Sequence, residues 1–181
     1  MTISESNITL TFPDNNYFRF EDCKGHKNLQ NIKEMDVCWY EQATDTLFII
    51  ELKNWGNNNL NEEIDSTFSP EKIEEMKMGI SKYRIDELFK KSVDSVCMFM
   101  SILLEKPYSE HIQACSPFII TRTTKIKLLS IINWTASDSS YISSINTAYK
   151  SKFNSYAKLF DIKYYLVITK EKAIEKFDWI S

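Results

Sequence analysis

Residues 35–55 read MDVCWYEQATDTLFIIELKNW, and this stretch decides the fold. Asp36 to Glu41 and Thr46 to Trp55 are rich in β-forming residues, and the polar Gln42-Ala-Thr-Asp45 between them reads as a turn. The pair is a β-hairpin. Its second strand carries the apolar run Leu47-Phe48-Ile49-Ile50, which belongs inside a sheet, and ends abruptly in Glu51-Leu52-Lys53. Side chains alternate along a strand, so Glu51 and Lys53 share a face and Leu52 takes the other. With the turn at 42–45, Glu41 faces Thr46, and counting back sets Asp36 opposite Glu51, their Cβ atoms roughly 5 Å apart. A turn one residue longer or shorter would break that register.

Two carboxylates so placed repel each other unless one is protonated or a cation lies between them. Mg²⁺ or Mn²⁺ suits such hard oxygen ligands and keeps waters for chemistry. Lys53, beside such an ion, can orient or help deprotonate an attacking water, or stabilise a charged transition state. Metal-bound water with Lewis-acid activation is a general route to phosphodiester hydrolysis. The rival reading of the same residues is a surface hairpin whose end carries a solvated Glu–Lys–Asp charge cluster.

Working outward, residues 8–12 and 17–22 alternate and read as strands, and the polar segment 24–34 reads as a loop. After the asparagine cluster Asn57–Asn59 the period becomes helical. Ser69-Pro70-Glu71 starts a helix, with Ile73, Met76, Ile80, Tyr83 and Leu88 at helical spacing. Val93 to Leu104 predicts a second, buried helix ending before Pro107, though a strand of about eight residues would also fit its middle. Phe118 to Thr123 predicts a buried strand, Lys125 to Trp134 an extension of the sheet, and 139–160 a helix. Ile162 to Thr169 is a strand followed by a short helix, Lys170 to Phe177. The fold class is therefore α/β, a mixed central β-sheet flanked by helices with an antiparallel N-terminal meander. The length, 181 residues, suits one domain over residues 1–181.

The composition excludes several classes. No apolar run of about 18 residues and no basic-then-apolar leader is present, which predicts a cytoplasmic protein without a membrane partner. Cys23, Cys38, Cys97 and Cys115 are too widely spaced for a zinc or iron–sulfur pattern and are expected as free, mostly buried thiols. Two histidines, His26 and His111, exclude a His-rich zinc site, and three glycines cannot build a phosphate-cradling loop. A Cys115–His111 hydrolase pair has no supporting signature. The net charge of −3 hides a basic segment: residues 115–170 hold eight basic residues against Asp138 and Asp161, a net +6 that leaves −9 elsewhere. Arg122, Lys125, Lys127, Lys150 and Lys152 in this segment are candidate phosphate contacts, set against the plainer reading of a solvated lysine face. Trp55, on the Glu51 and Lys53 face, either stacks on a base or sugar or packs under the following loop.

Asp36, then Glu51-Leu52-Lys53 after an apolar strand, resembles the PD-(D/E)xK nuclease superfamily, which includes many restriction enzymes, Holliday-junction resolvases and RecB-like nucleases. The resemblance covers residues 17–90 by motif and the rest by topology. It implies a restriction-endonuclease-like αβββαβ core and a metal-dependent endonuclease, a hydrolase acting on phosphodiester bonds in DNA, with RNA not distinguished. It implies Asp36 and Glu51 as ligands of Mg²⁺ or Mn²⁺, the Leu52 backbone carbonyl as a third ligand, and Lys53 as the catalytic lysine. Glu21 is the nearest candidate for the further acid that the family places on an early helix, and Lys82 for the polar residue on the helix after the ExK strand. Many members act as dimers, so a homodimer or larger complex is compatible with the resemblance. Met35 stands where the motif has proline, and the N-terminus reads as strands where the family has a helix. Glu75-Met76-Lys77 also satisfies ExK but lies in a helical pattern. The alternative is a non-catalytic interaction module, a subunit or inhibitor, on a degenerate nuclease fold.

Overall fold

The computed structural model describes residues 2–55, 69–134 and 140–181; the Asn57–Asn59 cluster and Asp138 lie outside them. The fold is mixed α/β. A five-stranded sheet runs in the order β3 (Tyr17–Phe18), β4 (Val37–Glu41), β5 (Thr46–Asn54), β6 (Lys125–Asn133), β7 (Tyr164–Thr169). The first three strands are antiparallel and the last three parallel. The parallel joins need crossovers, which α2 (Pro70–Leu103) supplies between β5 and β6 and α4 (Ser140–Leu159) between β6 and β7. The two helices pack against each other on one face of the sheet. Leu47, Ile49, Leu128 and Ile132 meet Leu88, Val96, Phe99, Ile145 and Phe153 there.

The other face carries Val37, Trp39, Phe48, Ile50, Leu52, Leu129 and Ile131. A hairpin of β1 (Thr2–Glu5) and β2 (Ile8–Thr11), the short helix α5 (Lys170–Ile174) and the C-terminal residues Trp179 and Ile180 cover it. The tail adds to β2 through Thr9 N–H to the Ser181 carbonyl at 2.7 Å and Thr11 N–H to the Trp179 carbonyl at 2.8 Å. Covered on both faces, β5 is buried from Thr46 to Leu52, which is why its sequence is a continuous apolar run.

The hairpin register is the one the sequence predicts: Glu41 pairs with Thr46 and Val37 with Ile50, which aligns Asp36 with Glu51. The turn is fixed by Asp45, which adopts the left-handed conformation (φ 48°). Its carboxylate accepts hydrogen bonds from Thr124 Oγ1 at 2.7 Å, Thr123 Oγ1 at 3.1 Å and the Tyr40 hydroxyl at 3.1 Å. The bond from Thr124, followed by those from Thr123 and Tyr40, holds its carboxyl below the ordinary range.

Several expectations are corrected. The predicted strand 17–22 stops at Phe18, because Phe20–Asp22 turns into a 3₁₀ segment that buries Phe20. The predicted loop 24–34 contains a helical turn, α1 (Lys24–Lys27). The two helices predicted between residues 69 and 104 are one, since no Gly or Pro interrupts Leu88 to Val93. Ser69 caps it, its hydroxyl accepting from Lys72 N–H at 3.3 Å, and Pro70 opens it. Phe118 to Thr123 is not a strand: Thr121 and Thr124 close a hydrogen-bonded turn there, while Phe118 and Ile120 pack into the core. The four cysteines are not all free. Cys23 is bonded to Cys115, beside α3 (Glu110–Gln113), leaving Cys38 buried and Cys97 exposed as thiols. A separation of 92 residues hides such a pair from any spacing rule. Among the described residues, no helix is long and apolar enough to cross a membrane.

Candidate active site

The site forms where β4 is shorter than its neighbour. β4 begins at Val37, whereas β5 continues to Asn54 along β6. Leu52 therefore points its N–H and carbonyl at a side where no strand remains. Asp36 replaces the missing ladder on the donor side: its Oδ2 accepts from Leu52 N–H at 2.7 Å. The Leu52 carbonyl accepts from Ser6 Oγ, at the tip of the β1–β2 hairpin, at 3.3 Å. The residue expected as a backbone ligand thus has a hydroxyl as its partner.

Glu51 faces α2 and is wholly buried. Its Oε1 accepts from two ammoniums, Lys91 Nζ at 2.7 Å and Lys53 Nζ at 3.0 Å. Lys91 Nζ also lies 3.4 Å from Asp36 Oδ1, so the two carboxylates converge on one cation, and that cation is a lysine. Lys53 in turn reaches Glu87 Oε1 at 3.2 Å. Among the described residues, Glu51 Oε2 has no hydrogen-bond partner, and neither does the buried hydroxyl of Ser130, the residue paired with Glu51 on β6. Two orphaned polar atoms thus sit on adjacent strands and the same face, an arrangement that ordinarily calls for a water, an ion or a ligand.

Burial is the main cause that raises the Glu51 carboxyl to about 7, and Asp36 adds to it, against the opposing pull of Lys91 and Lys53. Burial pulls the Lys53 ammonium down, but Glu51 and then Glu87 outweigh it, so the group stays protonated well beyond the ordinary lysine range. The cluster therefore pairs a carboxyl poised near neutrality with the Lys53 ammonium, a combination that acid–base chemistry uses.

Asp36, Glu51, Leu52 and Lys53 are brought together; the remaining candidates are not. Glu21 lies on the 3₁₀ segment and pairs with Arg19 at 2.9 Å. Lys82 lines a cleft of about 460 Å³ along α2 with Lys77, Ser81 and Tyr141, about one and a half turns before the helix reaches the cluster at Glu87. Glu87 and Lys91, one turn apart on α2, face the cluster instead. Their signal is a Glu–Lys pair at i,i+4 along the edge of the buried stripe Arg84, Leu88, Ser92, Ser95 and Phe99.

The basic segment does not form one patch. Lys125 pairs with Thr46 at the opposite end of β5 from Glu51, about 16 Å away along the strand. Arg122 belongs to a cleft with Leu103, Thr124 and Leu159. Lys127 lies over the Phe48 ring at 4.8 Å, on the face away from α2, and Lys152 pairs with Asp86 on α2. Lys150 sits half-buried on α4. Trp55 is 7% exposed and packs against Arg84, so it offers no open stacking platform. Among the described residues, no group of three or more His, Cys, Asp or Glu side chains is placed to hold a metal ion. A separate cleft of about 660 Å³, lined by Phe18, Arg19, Cys23, Gly25, His111 and Cys115, shares no residue with the Glu51 cluster. No protein-family model, curated protein or solved structure matches this chain.

Proposed function

We propose that the chain is a metal-dependent nuclease that hydrolyses phosphodiester bonds in DNA, on a restriction-endonuclease-like core. The observation that carries this reading is the convergence of the Asp36 and Glu51 carboxylates on a single cation beside Lys53, with the buried Glu51 Oε2 left unpartnered among the described residues. The element order adds support: an antiparallel β3-β4-β5 meander, the crossover α2, then β6 parallel to β5, with Asp36 just before β4 and Glu51 on β5. The hairpin β1–β2 precedes this meander where the family carries a helix, and the four-residue α1 lies between β3 and β4.

In this reading Asp36 and Glu51 would hold Mg²⁺ or Mn²⁺, which when bound supplies an activated water and polarises the phosphate. The chain's own residues do the rest. Asp36 is fixed by the Leu52 N–H, and Glu51 by burial against α2, so neither carboxylate needs to reorganise. Lys53, about a quarter exposed, presents its ammonium at the open edge, where it orients the water or stabilises charge on the phosphoryl oxygens. Glu87 steers that ammonium. Lys91 holds the two carboxylates together and would have to give up that place to an ion. RNA as substrate, a homodimer and a cytoplasmic setting belong to the same proposal.

The test is purified protein with plasmid and linear DNA, in Mg²⁺ or Mn²⁺ and in EDTA. Cleavage is expected with metal and is lost in Glu51→Ala and Lys53→Ala; cleavage that survives either substitution overturns the site. The position of Lys91 favours a second reading, a non-catalytic interaction module in which an internal ammonium has replaced the ion for good. A Mn²⁺ titration by calorimetry separates the two: the enzyme gives a heat that Asp36→Ala removes, the module gives none.

A further inference from the structure

Arg84 is the first buried residue of α2, 5% exposed, and a buried guanidinium ordinarily requires a counter-charge. Among the described residues no carboxylate lies within ion-pair distance of it. The two acids nearest to it in sequence on its own helix are engaged elsewhere: Glu87 with Lys53 and Asp86 with Lys152. Arg84 is held instead by aromatic rings. Its Cζ stands 4.5 Å from the Trp55 ring centroid and 5.6 Å from that of Tyr141, and Nη1 donates to the Tyr141 hydroxyl at 3.1 Å. Tyr141 stacks on Trp134 at 5.0 Å.

The placement of this stack ties it to the Glu51 cluster. Arg84 precedes Glu87 by three residues, which sets their Cβ atoms about 5–6 Å apart on one helix surface. Trp55 follows Lys53 by two residues, just past the end of β5 and in the core on the α2 side of the sheet, about 7 Å further along the chain. The guanidinium thus flanks the Lys53–Glu87 pair at the end of β5. A planar cation fixed between two rings, with its remaining donors unmatched by any acid among the described residues, suits one ligand class above others: a tetrahedral oxyanion taken by the guanidinium fork.

We propose that Arg84, gripped by Trp55 and Tyr141, binds a phosphate group of a nucleic-acid strand beside the bond presented to Glu51 and Lys53. The phosphate chemistry stands on the Arg84 stack; the source of that phosphate, a polynucleotide, rests on the nuclease reading. The experiment runs in EDTA, without turnover. It measures anisotropy of a labelled ten-nucleotide single-stranded DNA across a salt series, and the thermal shift from inorganic phosphate against chloride at equal ionic strength.

The wild type is expected to bind both. Arg84→Gln weakens DNA binding about tenfold and lowers the slope of log K against log salt by about one. Arg84→Lys, which keeps the charge and loses the fork, forfeits most of the same affinity, whereas Tyr141→Phe changes it less than about threefold. If Arg84→Gln folds and binds with wild-type affinity and slope, the inference is overturned and the nuclease reading is untouched. If the wild type shows a phosphate shift that Arg84→Gln abolishes, yet binds no DNA, the phosphate site stands and the polynucleotide source falls. Should Arg84→Gln fail to fold, Arg84→Lys decides by the same two readouts, and wild-type affinity and phosphate shift in that variant overturn the inference. A wild type that responds to neither probe overturns it as well.

Discussion

Replacing Glu51 by glutamine tests the electrostatics of the cluster directly. The carboxyl titrates near 7 in the folded chain against an ordinary value of 4.5. Between those two pH values the folded protein keeps a proton that the unfolded chain has released, so stability falls as pH rises through the interval. At about 1.4 kcal/mol per unit, the loss between pH 4 and pH 8 is about 3 kcal/mol, or about 6–12 °C in Tm for a chain of this size. Glutamine does not titrate, so this part of the pH dependence should vanish in Glu51→Gln while that of the remaining groups persists. The assay is thermal unfolding followed by circular dichroism from pH 4 to 8.5, read as the difference between wild type and variant. Mg²⁺ should restore the wild-type Tm at pH 8, since a bound cation favours the ionised carboxylate, and should leave Glu51→Gln unmoved. Parallel pH profiles for the two proteins would refute the reasoning, because Glu51 would then not change charge in this range.

Lys91→Met removes the ammonium that occupies the gap between Asp36 and Glu51, so Mn²⁺ should bind about tenfold more tightly by calorimetry, about 1.4 kcal/mol. The Cys23–Cys115 bond closes a long loop, so reduction or Cys115→Ser should cost about 4–5 kcal/mol in a urea unfolding titration. Gly25→Ala should destabilise by about 1–3 kcal/mol, since a Cβ there would meet the His111 carbonyl oxygen at 2.4 Å. Gly79→Ala, in open space on α2, should stabilise by about 0.5–1 kcal/mol, and the same titration separates the two glycines.

The parts of the fold that were legible in the sequence are those fixed by local rules. The apolar run Leu47 to Ile50 marked the strand, and side-chain alternation with the length of one turn set the Asp36–Glu51 alignment. The cap at Ser69 and Pro70 marked the start of α2. What local rules could not show was the set of partners brought in from a distance. Lys91 reaches Glu51 across 40 residues, and Ser6 reaches Leu52 across 46. Glu21 was misplaced because burial of Phe20 pulled its segment out of the sheet, against the alternation of 17–22. The basic segment reads as one charge block in one dimension, but β6 and α4 spread its residues over opposite faces and ends of the sheet. β1 was missed because Thr2–Glu5 is too short to announce itself without its partner β2.

The Asp45 turn lies at the far end of the sheet from Glu51, yet the site depends on its length. A strand that slips by one residue shows its opposite face, so one extra residue between Glu41 and Thr46 would turn Asp36 away from Glu51 without touching either. Surface turns are ordinarily where chains gain and lose residues freely. This one should behave as a ruler instead. Insertions at Gln42–Thr44 are expected to spare the fold and erase the site, and Tyr40, Thr123 and Thr124, which fasten Asp45, act as guardians of a geometry about 16 Å away.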